Sequence, residues 1–505
     1  MEKKPKLLFW INGFFLHFSL AYYLQSKLDA EFYGLIDINS KPKKFFQEQS
    51  LVDFEKIWFF HDYIKKKYQT FDSNYLLNFE KKYNINLWKL VLNERFFYKH
   101  NRFYKFHMNE ILSILEQELK LFESILEQIK PDYFLTYDPV FHHQKLLLDM
   151  CKSKGIKIIS VYYSGIKNKV VLATNGETLD LDKNSLENLL EKDEQLKKEE
   201  ITYDSVWHDY LKEKSPKFSN KFSAVLTYFQ KYDSELINDN FMYYGKSKFK
   251  VINDALKMEF NRWRNFRFLQ KNSNLSPNLK IPYAYYPMNI NEEMNILHYA
   301  PFYTDQIEVI RHVAKSIPID FMLYVKEHPG AGLRGWNDVK YYKEIMDIPN
   351  VKLIHPHYDS NILLKNSRLL VTTRGTTVYK AVKYGKPAIT FGPQSFEIIP
   401  SIFRVDSLPK LPDLIKTALN CSVNTSNYEK YEELLSDRAC EFNMFEYENK
   451  RDTAFFAGGI LSNIEIKEED VKDFMSKNKS MFLELSNAHL KQFSKNMNTL
   501  NNKIE

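Results

Sequence analysis

The stretch SRLLVTTRGTTVYKAVKYGKPAITFG, residues 367–392, decides the fold. Its opening, SRLLVTTRG (367–375), is an apolar, β-branched run that reads as a strand ending in Arg-Gly. TVYKAVKYG (377–385) reads as a short helix with Gly385 as its C′ stop, and KPAITFG (386–392) as the next strand. Strand, helix and strand at this spacing form a parallel βαβ unit, because parallel strands need a crossover.

The same rhythm extends upstream. IPYAYYPMN (281–289), DFMLYVKEHP and NVKLIHP (350–356) read as strands. DQIEVIRHVAKSI (305–317) and SNILLKN read as helices, the second with Ser360 as its N-cap. The result is a doubly wound lobe. Further back, Lys6–Ile11, EFYGLIDI (31–38), KIWFFHDY (56–63), PDYFLTYD (131–138) and IKIISVYY (156–163) read as strands. Helices are expected over Phe15–Lys27, over NEILSILEQELKLFESILEQIK (109–130), whose apolar residues follow helical spacing, and over FHHQKLLLDMCKSKG. Between the lobes the pattern turns helical and charged. LEKDEQLKKEE, FSAVLTYFQKY and VINDALKMEFNRWRNFRFLQ carry it. The expected organisation is an N-terminal Rossmann-like lobe (1–175), a mainly helical insertion or bridge (176–280), a C-terminal Rossmann-like lobe (281–430) and a helical C-terminal extension (431–505).

With 505 residues and 44% hydrophobic content, the chain is globular and long enough for several cores. The net charge of +7 fits anionic ligands or an anionic membrane surface. The basic residues are dispersed among acids, which argues against nucleic-acid binding. Cys151, Cys421 and Cys440 form no CxxC pair, so neither a disulfide framework nor a structural zinc site is expected, and a reducing cytoplasm is the simpler setting. LLFWINGFFLHFSLAYYL near the start is interrupted by Asn12, Gly13, His17 and Ser19 and reads as strand, turn and buried helix instead of a membrane span.

Ligands of an open parallel sheet bind beyond the carboxyl ends of its strands. In LYVKEHPGAGLRGW (323–336), Pro329 stops the strand and holds His328 extended at its end, with Lys326 and Arg334 adding positive charge and Gly330, Gly332 and Gly335 letting backbone approach a ligand. In VTTRGTTVYKAVKYG, the helix start attracts anions, Gly375 permits close approach, Thr376 and Thr377 cap the helix or donate to phosphate, and Arg374 pairs with phosphate bidentately. An ordinary turn with a Thr cap is compatible with this. In the first lobe, Gly13 sits in the opening turn and Asp138 ends a strand, where it is a candidate general base for an acceptor hydroxyl. His142 and His143, adjacent on one helix, face different directions and make a poor metal pair without carboxylates at the right spacing, so no metal site is expected. Neither a P-loop nor GxSxG occurs.

YYPMNINEEMN (285–295), YTDQIEVIRHVAKSIPIDFMLYVKEHPGAGLRG (303–335) and NVKLIHPHYDSNILLKNSRLLVTTRGTTVYKAVKYGKPAITFG (350–392), in this order, resemble the capsule polysaccharide biosynthesis family, whose members include capsular Kdo transferases. The likeness covers roughly 281–410. It implies a GT-B-like α/β fold of two Rossmann-like lobes facing a cleft, with the donor nucleotide on the C-terminal lobe and the acceptor on the N-terminal one. It also implies that His328 of the His-Pro motif approaches the phosphate of a CMP-sugar and that Gly375, Thr376 and Thr377 face the donor phosphate. Where family members commonly place Glu-Ala, this chain has Lys380-Ala381, and a Lys cannot accept hydrogen bonds from ribose hydroxyls.

The expected activity is therefore metal-independent glycosyl transfer, since no DxD motif stands at a strand end. A CMP-linked acidic sugar such as Kdo is expected ahead of a UDP-sugar. The acceptor would be an oligosaccharide or glycolipid of a surface polysaccharide, met in the cytoplasm or at the inner face of the membrane, with no cofactor beyond the nucleotide-sugar substrate. The rival expectation is a GT-B-like binding subunit without turnover.

Overall fold

The computed structural model describes residues 4–65, 70–164, 166, 168–174, 179, 181, 186, 240–436, 438–459 and 463–501. They fall into two compact units. The first holds the described residues of 1–179, 201–252 and 438–505, and the second those of 180–200 and 253–437.

The first unit is built on a seven-stranded sheet: β1 (Lys6–Asn12), β2 (Glu31–Asp37), β3 (Lys56–Phe59), β4 (Tyr133–Tyr137), β5 (Lys157–Tyr163), β6 (Lys169–Ala173) and β13 (Ala439–Glu441). Their order in space is β13-β6-β5-β4-β1-β2-β3. Strands β1 to β5 run parallel, and β6 and β13 close one edge antiparallel. Strand β1 shows why such strands read as unbroken apolar runs. Leu7, Phe9 and Ile11 enter one core, while Leu8 and Trp10 enter the core on the opposite face. The helix Met108–Ile129 buries Ile114, Leu115, Leu119, Phe122, Ile125 and Leu126 in that second core, as its periodicity predicts.

The second unit carries a six-stranded, wholly parallel sheet of β7 (Tyr283–Pro287), β8 (Met322–Lys326), β9 (Val351–Ile354), β10 (Leu369–Thr372), β11 (Ala388–Thr390) and β12 (Ile402–Arg404). The order is β12-β11-β10-β7-β8-β9. Chain progression therefore reverses between β7 and β10, which is the topological switch point of a Rossmann sheet. The α/β expectation of two Rossmann-like units with a helical C-terminal region holds.

Several details differ from the sequence reading. KIWFFHDY is a strand only to Phe59, and Phe60–Tyr63 turns helical, sending Phe60 into the core and His61 to a buried carboxylate. The helix Ser360–Asn366 is capped by Asp359, whose carboxylate accepts the Asn361 N–H, and not by Ser360. Of the expected helical insertion, LEKDEQLKKEE and FSAVLTYFQKY lie outside the described residues, while VINDALKMEFNRWRNFRFLQ is the helix Lys248–Asn272. The C-terminal helices Met444–Phe455, Glu468–Lys477 and Lys479–Asn501 are joined by β13, and the region packs in the first unit: Tyr447 donates to the Phe14 carbonyl at 2.6 Å and Tyr23 to that of Met475 at 2.9 Å.

Candidate functional site

At the switch point of the second sheet, the loops after β7, β8 and β10 are joined by one polar network. Gln306 accepts the Asn289 N–H at 2.8 Å and donates to the Asn289 carbonyl at 2.8 Å and to Asn291 Oδ1 at 2.6 Å. Asn291 donates to Asn337 at 3.0 Å, and Asn337 donates to Glu327 Oε2 at 2.7 Å. From the other side, the Asn289 amide donates to the Arg374 carbonyl at 2.5 Å. The fully buried Glu327 also accepts the Tyr342 hydroxyl at 2.8 Å and, on Oε1, the His328 N–H at 2.7 Å. Burial raises its carboxyl pKa, against the pull of those hydrogen bonds and of Lys326.

His328 follows β8 and stands at the N-cap of a short 3₁₀ helix, Pro329–Arg334. Its Nδ1 accepts the Gly330 N–H at 3.0 Å. The neutral ring then carries its proton on Nε2, the tautomer that donates to an anionic oxygen. Gly330 is small for a reason: a Cβ there would stand 3.0 Å from the His328 ring and from Ile290. Gly332 makes room for Trp336, whose ring a Cβ would meet at 2.8 Å, so packing alone requires a glycine there. Arg262 braces the turn, donating to the carbonyls of Gly332 and Leu333 at 2.9 and 2.8 Å. Pro329 is exposed. Lys326 is buried at the end of β8, where its charge helps depress the pKa of His355 and His357 after burial and, for His355, the neighbouring His357. Those two histidines, after β9, were not singled out from the sequence. Arg334 is exposed and paired with Glu292 at 2.9 Å.

Gly375 follows β10 with φ of 140°, a left-handed value that favours glycine. Thr376 occupies the N-cap position of the helix Thr377–Lys383 but makes no capping hydrogen bond with its side chain, contrary to the expected cap, and both threonines are half-buried. Arg374 differs from expectation. It is buried, with Nε donating to the Pro393 carbonyl at 3.0 Å, Nη1 to Asn295 at 2.7 Å, and its guanidinium 4.1 Å from the Tyr299 ring centre. Each two-nitrogen face of the guanidinium thus has one nitrogen engaged by protein, which opposes a bidentate grip on phosphate. Lys380 is half-buried, and its charge acts on Glu432.

In the first unit, β1 and β4 flank the switch point, and the turns after them hold Gly13 and Asp138. Gly13 has no left-handed φ; Phe15 does, at 59°. A Cβ on Gly13 would meet the Phe456 ring at an ordinary 3.7 Å. Asp138 is half-buried and its N–H donates to the Val161 carbonyl at 3.3 Å. The larger constellation is one the sequence did not show. His142 lies between two buried carboxylates, with Nδ1 3.0 Å from Glu94 and Nε2 3.1 Å from Glu118. Burial opposes its charge, but Glu118 and Glu94 outweigh that and push its pKa up to about 10. Asp37, at the end of β2, receives His61 at 2.9 Å and His143 at 3.2 Å. Those rings overcome its burial and hold its carboxyl well below the usual range. The two adjacent histidines do diverge, their ring planes 88° apart, but the carboxylates absent from local spacing arrive from other elements. Glu118, His142 and His143 each bring a potential ligand atom within 4.8 Å of the others.

Two Rossmann-like units, one with a His-Pro turn and a Gly-Thr turn at its switch point, make an α/β frame whose ligand sites lie beyond the carboxyl ends of the strands. Residues 184–400 match the family described as capsule polysaccharide biosynthesis protein, so the resemblance drawn from the sequence holds and extends upstream of residue 281. Among solved structures, the chain is similar to two from Thermosulfurimonas dismutans KpsC. The beta Kdo 2,7 transferase is 10% identical over 64% of this chain and 82% of that chain, with a TM-score of 0.30. The beta Kdo 2,4 transferase is 9% identical over 59% and 78%, with a TM-score of 0.31. UDP-GlcNAc 2-epimerase from Methanocaldococcus jannaschii is 13% identical over 86% and 99%, with a TM-score of 0.24. No curated protein matches the chain.

Proposed function

We propose that the chain is a glycosyltransferase of capsule or related surface-polysaccharide assembly, using a nucleotide-sugar donor, with a CMP-linked acidic sugar such as Kdo ahead of a UDP-sugar. The observation that carries this reading is the polar network that ties the His328 turn to the Gly375 turn at the switch point of the second sheet. As the acceptor hydroxyl attacks the anomeric carbon, the bond to the nucleotide phosphate breaks and charge grows on the leaving oxygen. His328 Nε2–H donates to that phosphate, Lys326 contributes field, and the 375–377 turn offers its N–H groups. These groups take the part a metal plays in other transferases. Asp138 accepts the hydroxyl proton.

Among the described residues, no helix is long and apolar enough to cross a membrane. The helix Lys248–Asn272 exposes Leu256, Phe260 and Trp263 beside Lys257 and Arg267, which favours peripheral contact with an anionic lipid surface carrying the acceptor. A thermal-shift screen against CMP, UDP, GDP and their sugars tests the donor: the true nucleotide raises Tm by mass action. Donor consumption by wild type but not by His328→Ala supports transfer. A nucleotide that binds while no donor is ever consumed selects the second reading, a binding subunit without turnover, which Lys380 beside Glu432 favours.

A further inference from the structure

We propose that Glu118, His142 and His143 bind one divalent transition-metal ion, zinc by preference, inside the first unit. All three side chains are 0% exposed, and one potential ligand atom of each lies within 4.8 Å of the others. The separation of His142 Nε2 from Glu118 Oε2 is 3.1 Å. Two ligands of a tetrahedral zinc ion with bonds of about 2.0–2.1 Å stand about 3.3 Å apart. The hydrogen-bonded pair thus already stands close to one edge length of such a polyhedron.

The surrounding shell has the form metal sites use. A ligating imidazole ordinarily gives its other N–H to a carboxylate, which fixes the tautomer and strengthens the ligand. Here His142 has Glu94 Oε2 at 3.0 Å from Nδ1, and the same oxygen accepts the His142 backbone N–H at 2.8 Å. His143 has Asp37 Oδ2 at 3.2 Å from Nε2, and Asp37 is held in turn by His61. Each histidine is thus backed by its own carboxylate. A second, independent sign is His143 Nδ1, which is buried without a hydrogen-bond partner. A buried ring nitrogen without a partner is costly unless something occupies it.

Charge points the same way. Glu94, Glu118 and Asp37 place three carboxylates in the interior, with Arg95 3.9 Å from Glu94 at the rim. Without metal, the charged ring of His142 pairs with Glu94 and Glu118 and offsets part of this; a divalent ion replaces that charge and leaves the imidazoles neutral, as ligands must be. The ion takes the place of the proton shared between His142 and Glu118. Because the ligands are wholly buried, it acts structurally, tying the helix Met108–Ile129 to the helix His142–Ser153.

The test uses the full-length chain, stripped with chelator and titrated with Zn²⁺ or Co²⁺. The expected result is one ion per chain at micromolar concentration, a rise in Tm, and visible Co²⁺ bands of a four- or five-coordinate nitrogen–oxygen site. Glu118→Gln and His143→Gln are each expected to weaken binding at least tenfold. If a variant fails to fold, X-ray absorption of the wild-type zinc form decides the matter through its count of imidazole ligands. A folded wild type that takes up neither metal overturns the proposal. So does binding that both folded variants retain, or a zinc environment without two imidazoles.

Discussion

Glu327 accepts hydrogen bonds from the His328 N–H, the Asn337 amide and the Tyr342 hydroxyl, so one buried carboxylate fixes where the imidazole of its neighbour stands. Glu327→Ala leaves all three donors without it and is expected to lower unfolding stability by about 3 kcal/mol, read from urea titration. Because burial raises its carboxyl pKa, this group stabilises the fold most at low pH. That share is lost as pH climbs from the unfolded carboxyl value through the raised folded one. Glu327→Gln removes the buried charge, so its Tm should vary less with pH across that window than the wild type's. An unchanged pH profile would show the carboxyl contributes nothing. His328→Ala should behave differently, lowering donor turnover roughly 100-fold with little change in Tm. A parallel fall in Tm would recast the ring as a structural plug.

The element that bears the Gly-Thr turn depends on a left-handed backbone at Gly375. Gly375→Ala is expected to cost about 1–3 kcal/mol of strain or to shift the turn, and either outcome weakens nucleotide binding in the thermal-shift screen. The strands and helices flanking both turns were legible because each is a local pattern: a doubly buried strand reads as a continuous apolar run, and a strand-end His-Pro or Gly-Thr pair sits within a few residues of its own strand. Other elements carried too little pattern. Strand β13 has three residues, Ala439–Glu441, and exists because β6 offers it an edge. The carboxylate–histidine cluster joins five separate stretches, and its His143–Asp37 contact alone spans 106 positions, a separation no spacing rule registers. Arg374 was misread for a related reason: a cation beside a glycine turn suggests phosphate, but its partners Asn295 and Tyr299 become neighbours only through the fold.

At the scale of the whole molecule, acid sensitivity follows from two neutral histidines in the core of the first unit. Burial, with His489 adding to it, lowers the pKa of His17 to about 3, and burial lowers that of His489 to about 4. The unfolded chain takes up these protons below about pH 6.5 while the folded one refuses them, so stability present above that pH is lost as pH falls toward the folded values. The loss is on the order of 3 kcal/mol or more. A His17→Leu/His489→Leu variant should hold its Tm better than wild type between about pH 6 and pH 4. Equal slopes would assign the acid loss to carboxylates instead. One last consequence lies in the route the chain takes. All of the second unit precedes residue 438, whereas the first unit waits for β13 and the three helices after it. During synthesis the later-encoded unit is thus complete first, and the earlier-encoded one keeps an open β6 edge until Ala439–Glu441 emerges. A nascent chain halted before Ala439 would carry that edge exposed, ready to pair with another chain.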